Sequence, residues 1–490
     1  MRKCAWHCWL MVFILGLSLG LSAGCGRFPG ATTGGGGSTP ASTQFSLTIR
    51  DTPPANASVL AFELQVTGAV LQPGNVSLLS SGNSVPVELT QLQTEATLLS
   101  SLSIPAGNYT SLSVTFANPK LTFLNSASSA FAGCAAGAVC QITPAISPFS
   151  VTFSTGPNFP LTLSQSVPAG FELDLDLNSI IQLDLSLNLA AANAVTLTQL
   201  SAAQSGGQLA DLNDIRGTVQ SVATNQFKLV QSNGTTLTIN TNSSTVFVFS
   251  SSSCPANNFS CIAAGQVLET DLSLLGNGTL VAKLIELTQP PAVGAQTIQG
   301  TSVSLSGSPI ITSLQLVVHD VQPNSSSVSV GNLVTVSLQN TASFQVAGRN
   351  FTFPGGIYFA SGTDLVTGQE IQVRVAGAVT PGTPPSFSTD QVILVPSQIT
   401  ALVFTINLGA ASFTINGLPP FFTNAVPNPI TQITEQTSSQ TTFENLTTSD
   451  LTSLAAGNQV SVEGWLFNTP SAVAPATMVV FKVRGRSILH

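Results

Sequence analysis

The sequence predicts an all-β chain of several modules: an N-terminal β-sandwich followed by about three smaller barrel- or sandwich-like modules, after a signal peptide and a flexible tether. Three observations predict it. The length, 490 residues, exceeds one ordinary domain. Hydrophobic residues make up 43% and charged residues only 7%, against about 25% charged in an average soluble domain. The remaining polarity is Ser, Thr, Asn and Gln, set among 40 Gly and 29 Pro, which is the chemistry of strands and tight turns. Apolar positions alternate along short segments, and no long stretch carries a helical period.

The N-terminus reads as an export signal over residues 1–24. Arg2 and Lys3 precede the apolar run Trp9–Leu21, which is short of the roughly 20 residues a bilayer needs. Leu21-Ser22-Ala23-Gly24-Cys25 then resembles the lipobox of bacterial lipoproteins, with Ser22 where Leu is commonest. The resemblance implies cleavage before Cys25 and acylation of its thiol. An ordinary secretory peptide with an incidental Cys25 is the alternative. Two or three acyl chains hold a protein stably where one does not. Residues 25–44, with the run Gly34–Gly37, read as the tether. Gly26, by resemblance to lipoprotein sorting in double-membrane bacteria, favours the outer membrane.

Residues 45–200 form the predicted sandwich. Phe45-Ser-Leu-Thr-Ile-Arg alternates until Asp51-Thr-Pro-Pro breaks it. Val59–Gly68 resumes the alternation, and Ile104-Pro-Ala-Gly-Asn-Tyr109 turns into a strand at Ser111–Phe116. Phe171, Leu173, Leu175 and Leu177 alternate with Glu172, Asp174 and Asp176, and Leu183 to Leu189 repeats the pattern. Ser201–Gly207 is a linker by composition. Three weakly similar modules follow, at 213–290, 296–398 and 399–488. They open on Ile215-Arg-Gly-Thr-Val, Ile298-Gln-Gly-Thr-Ser-Val and Ala401-Leu-Val-Phe-Thr-Ile. Each later carries a turn glycine before another strand: Gly265, Gly368 and Gly457.

Leu47-Thr-Ile-Arg-Asp51-Thr-Pro53, Val66-Thr-Gly-Ala-Val70 and Ile104–Tyr109 resemble domain of unknown function 4382 of bacterial envelope lipoproteins. Ile215–Val222 with Ala264-Gly-Gln-Val267 and Ala282 resembles domain of unknown function 5666, a small β-barrel-like domain that often follows it. The first likeness covers about a third of the chain and the second about a sixth. The resemblance implies a β fold and an envelope location, and lends no catalytic residue.

Cysteine spacing agrees with export. Beyond Cys25, four remain in two close pairs, Cys134 with Cys140 and Cys254 with Cys261, which predict two local disulfides in an oxidising compartment. Zinc would require tighter Cys spacing or companion histidines, and beyond the signal segment the chain holds only His319 and His490.

The net charge of −8, with 13 Lys and Arg dispersed along the chain, argues against a nucleic-acid partner. No nucleophile elbow, phosphate loop or dinucleotide fingerprint is present, so no catalytic residue is assigned. His319, in Leu316-Val-Val-His-Asp320, reads as a strand-end histidine. Glu172, Asp174 and Asp176 share one strand face with Asp184 on the next segment, and four hard oxygen donors could hold Ca2+. A solvated outer face is the plainer alternative, since no calcium-loop spacing is present. The expected function is that of an exported, lipid-anchored envelope protein with a non-enzymatic binding, adhesion or structural role. Its expected partners are the membrane and an envelope protein or glycan. The alternative is a carbohydrate-active hydrolase with paired carboxylates on a β scaffold.

Overall fold

The computed structural model describes residues 41–486 except 54–57, 81–83, 203–205, 250–253, 288–294, 308–309, 326, 426–428 and 470–475. The predicted signal segment, Cys25, most of the tether and His490 lie outside the described residues.

Two sheets built from alternating strands make the N-terminal module. One orders its strands Val195–Ser201, Ala169–Asp176, Ser42–Thr52 and Ala96–Pro105. The other is centred on Val59–Gln72 and Ser111–Leu124. Phe45, Leu47 and Ile49 of the first sheet and Phe62, Leu64, Val114 and Phe116 of the second share one buried core. That is the expected sandwich. The first strand ends at Thr52, before the paired prolines. Phe171, Leu173 and Leu175 are buried and Glu172, Asp174 and Asp176 half-buried, as their alternation predicts.

Leu183 to Leu189 departs from the expected strand. Asp176 accepts from Asn178 N at 3.0 Å and starts a short helix, Leu177–Ile180, which buries Leu177 and Ile180. A turn with Leu185 at φ 65° follows, and only Leu187–Asn188 is extended. The helix turns the chain, so Leu183 is fully exposed instead of lining a sheet.

Three barrels follow with one connectivity. The first uses Gln208–Ala223, Gln226–Val230, Thr236–Asn240, Val267–Leu275 and Leu280–Leu287. The second uses Thr297–Ser306, Ser313–Gln322, Leu333–Val346, Glu370–Arg374 and Ser386–Leu394. The third uses Ser397–Asn407, Ser412–Asn416, Ile433–Gln436, Gln459–Asn468 and Ala476–Gly485. In each, the first strand sits between the second and the fourth, and the third closes the barrel by pairing parallel to the fifth. This is the closed five-stranded Greek-key order of the OB barrel.

Backbone bonds fix the correspondence between repeats. Gly265, Gly368 and Gly457, at φ 87°, 90° and 86°, donate to the carbonyls of Val219, Ser302 and Val403. The left-handed turn explains the recurring glycine. The same bonds place Ile399, not Ala401, opposite Ile215 and Ile298. All three isoleucines are buried and pair across to Thr270, Val373 and Val462. The opening strand of the third repeat therefore aligns from Ile399, the first residue of the predicted module, and not from Ala401.

Candidate functional site

A strand in a barrel wall has an inner apolar face and an outer face normally given to water. Here the outer faces meet other modules. In Val267–Leu275, Leu268, Thr270 and Leu272 point inward while Glu269 and Asp271 point out. In Gln459–Asn468 every residue from Val460 to Phe467 is buried, because the outer face that carries Ser461 and Glu463 is covered as well. A chain with few charges places many of them in this covered junction, where low dielectric makes each one costly unless paired.

The pairs link all four modules. Lys482 of the third barrel donates to Glu95 of the sandwich at 2.6 Å. Thr94 donates to Glu463 at 2.6 Å, and Asn213 of the first barrel donates to Glu95 at 2.7 Å. Arg349 of the second barrel pairs with Asp214 and Asp271 of the first, donates through its backbone N to Glu286 at 3.2 Å, and lies 5.0 Å from the Phe481 ring centroid of the third. Arg216 pairs with Asp320 and donates to Thr297 Oγ1 at 2.7 Å. Trp465, Phe467 and Val479 of the third barrel pack into the core cluster of the second, an apolar seam in which Trp465 Nε1 donates to Ala347 O at 2.7 Å.

Within this junction lies a cavity of about 390 Å³. Glu95, Asp214 and Glu463 line it, each from a different module, with ligand oxygens within 4.8 Å of one another. Glu269 and His319 line it too. His319, predicted as a bland strand-end residue, is buried; its Nε2 is 2.9 Å from Thr301 Oγ1 and its Nδ1 3.7 Å from Glu88 Oε2.

Burial raises the pKa of Glu95, with Lys482 opposing the rise. It raises Glu269 and Glu463 well above the usual carboxylate range, and neighbouring Asp214 adds to both. It lifts Glu286 to about 7. Asp214 goes the other way: burial opposes its ionisation, but the Arg349 guanidinium holds its pKa below the ordinary value. For His319, burial opposes the charge and the Glu370 and Glu88 carboxylates outweigh it, so its pKa is raised. The junction thus holds an ionised carboxylate beside carboxyls that burial tends to keep protonated.

The acids singled out from sequence are not gathered. Glu172 is paired with Arg50 at 3.0 Å, Asp174 accepts from Thr52 at 3.1 Å, and Asp176 caps the short helix. Asp184 sits in the turn, accepting from Ser186 N at 3.0 Å and Ser186 Oγ at 2.6 Å. Among the described residues, the group of three whose ligand atoms converge is Glu95, Asp214 and Glu463 instead. The predicted Ca2+ site at Glu172, Asp174, Asp176 and Asp184 is therefore corrected: each strand acid has its own partner, and the helix carries Asp184 into a separate turn. The signal for the convergent acids was a charge inside an apolar strand, as in Val460-Ser-Val-Glu-Gly-Trp465.

The cysteines pair as spaced. Cys134 and Cys140 lie with Cα atoms 5.8 Å apart, and Cys254 and Cys261 with theirs 5.7 Å apart, both disulfide-bonded within one module. Cys134 and Cys261 are buried against their module cores, so neither bridge is a purely surface loop.

Residues 216–286 match the family model described as Domain of unknown function (DUF5666). The match covers most of the first barrel. No curated protein matches the chain. Among solved structures, the Drosophila Unr CSD456 chain is similar at 11% identity over 56% of this chain and 98% of that one, with a TM-score of 0.13, a likeness too slight to carry an argument.

Proposed function

We propose that this chain is an exported, lipid-anchored bacterial envelope protein, of the outer membrane, with a non-enzymatic binding, adhesion or structural role. The export signal, Cys25 and the tether support the address, as does the likeness of the sandwich to domain of unknown function 4382. One observation carries the role: the charges of a charge-poor chain are spent on holding four modules together. The described residues between 41 and 486 form a single compact unit, tied by Lys482–Glu95, Arg349–Asp214 and Arg216–Asp320. A compact head beyond the proposed tether suits display toward an envelope protein or glycan, with the membrane engaged through lipid. Labelled fatty acid should enter the wild type and not Cys25→Ser. A pull-down from the native envelope should recover a defined partner. Equal labelling of the variant overturns the anchor.

A second reading has a specific observation in its favour. Asp214 and Glu463 face one another beside a cavity, with pKa values driven apart, which is how acid and base roles are divided. Carboxylate pairs of retaining glycosidases stand about 5–5.5 Å apart. A glycan screen separates the readings: turnover abolished by Asp214→Asn would establish the hydrolase and sink the non-enzymatic role.

A further inference from the structure

We infer that His319 is a proton-operated latch between the sandwich and the second barrel, closed while its imidazole carries two protons and released when rising pH removes one. The latch goes beyond the envelope reading and does not depend on where the chain resides.

The contact it fastens joins outer faces of the two modules. Val317 and His319 share the outer face of Ser313–Gln322, while Leu314, Leu316 and Val318 point into the barrel core. Val317 packs with Leu60 and Ala61 of the sandwich, and Thr122 of the sandwich donates to Gly331 O at 2.6 Å. His319 stands beside this patch with its side chain 2% exposed. It is the only histidine among the described residues, and histidine is the side chain whose ordinary titration falls between pH 5 and 8.

Hydrogen-bond polarity makes the contact depend on the proton count. On one side, Nε2 lies 2.9 Å from Thr301 Oγ1, whose hydroxyl donates to Glu370 Oε2 at 2.7 Å. A hydroxyl has one proton, so Nε2 is then the donor to Thr301. On the other side, Nδ1 lies 3.7 Å from Glu88 Oε2, an ion-pair distance. Glu88 accepts from Phe62 N, Thr90 Oγ1 and Gln91 N at 2.7, 2.8 and 3.0 Å, so it meets the ring as an acceptor. The imidazolium, with a proton on each nitrogen, answers both sides. The neutral ring answers one. A bare Nδ1 turns its lone pair on Glu88, and a bare Nε2 takes the Thr301 hydroxyl away from Glu370. Glu88 belongs to the sandwich, and Thr301 and Glu370 to the second barrel. Losing a proton therefore breaks either the contact between modules or the brace behind it.

The charged groups around the ring favour the proton. Glu88 faces it from the sandwich, and Glu370 from the strand Glu370–Arg374 of its own barrel. Asp320, next on its strand, is paired with Arg216 of the first barrel. Across the cavity stand Glu63, paired with Lys120 at 2.7 Å, and Glu269, 3.8 Å from Arg349. Burial lowers the His319 pKa, and the Glu370 and Glu88 carboxylates raise it by more. Burial raises Glu370 as well, so its proton is lost in the same direction. A histidine raised in this way adds its stability in full below the ordinary value, near 6.5, and loses it as pH climbs through the folded value.

The test uses the full chain in detergent, labelled with 13C at histidine Cε1, with His7→Gln and His490→Gln assigning the His319 resonance. A titration midpoint above 6.5 is expected. Opening of the contact is read at Val317→Cys, a near-isosteric change at a buried contact residue, by its thiol-labelling rate relative to a free cysteine peptide at the same pH. That rate should rise by up to about tenfold per pH unit between 6.5 and the His319 midpoint. Adding His319→Gln should make labelling fast at every pH and remove the step. Circular dichroism shows which variants fold. If His319→Gln does not, Glu88→Gln decides, by moving the His319 midpoint down and the labelling step with it. A midpoint at or below 6.5, labelling of Val317→Cys that is flat with pH, a step that persists in folded His319→Gln, or an unmoved midpoint in folded Glu88→Gln overturns the latch.

Discussion

The first and third barrels share strand order, closing pair and turn glycine, yet they differ at one matched interior position. Ile239 faces Phe227 in the first barrel, Val336 faces Leu314 in the second, and Glu435 faces Phe413 in the third. All three are fully buried. Neither carboxylate oxygen of Glu435 has a hydrogen-bond partner, and burial alone pushes its pKa well above the ordinary value. The junction also buries carboxyls, but there Lys482 and Arg349 answer several of them. The contrast separates two costs: a paired buried charge is expensive mainly when its partner is removed, whereas an unpaired one is expensive as it stands.

Removing a partner should give the largest effect. Lys482→Met leaves Glu95 buried beside Glu463 and Asp214 without its ammonium. Chemical denaturation should show a loss of about 3–5 kcal/mol. A loss below 1 kcal/mol would mean that the junction, unlike the barrel interior, tolerates an unanswered carboxyl.

Making the third barrel like the first should have the opposite sign. Glu435→Ile replaces an unpartnered polar group with the residue its counterpart carries, and a gain of about 1–3 kcal/mol at pH 7 is expected. Destabilisation would show that Glu435 has a partner in solution.

The same variant sharpens the comparison through pH. A carboxyl whose folded pKa is raised binds more protons in the folded state than in the unfolded one at any pH between the two values. Stability is therefore lost as pH rises above the unfolded value, near 4.3, by up to about 1.4 kcal/mol per pH unit. The gain from Glu435→Ile should grow between pH 4 and pH 7. Denaturation curves whose separation is constant over that range would contradict an ionisation origin.

Reducing the disulfides should do least to the architecture. Loops this short contribute about 2–3 kcal/mol each in the entropy model. Reduction should lower the melting temperature modestly and leave the β-sheet circular dichroism in place. Collapse of the sheet signal would promote the bridges from pins to scaffold, with the buried Cys134 and Cys261 as the reason.

What local chemistry can encode was legible in the chain. Alternation in Phe171–Leu177 specified a strand with one apolar face, because successive side chains point to opposite sides. Recurring turn glycines specified the repeat, because left-handed backbone selects glycine. Close spacing specified the cysteine partners. Local pattern failed at Leu183–Leu189, where a helix cap at Asp176 outweighs alternation, and in aligning Ala401 with Ile215 and Ile298, where hydrogen-bond register selects Ile399 instead. Which outer faces would be wet was settled by the docking of the modules. An alternating strand reads the same whether its polar side meets water or another module. Thus Glu172, Asp174 and Asp176 looked like the cluster, while Glu95, Asp214 and Glu463, from 119 to 368 residues apart in the chain, are the ones that meet. Convergence over such separations is a property of module docking, and docking leaves no periodicity in the sequence to read.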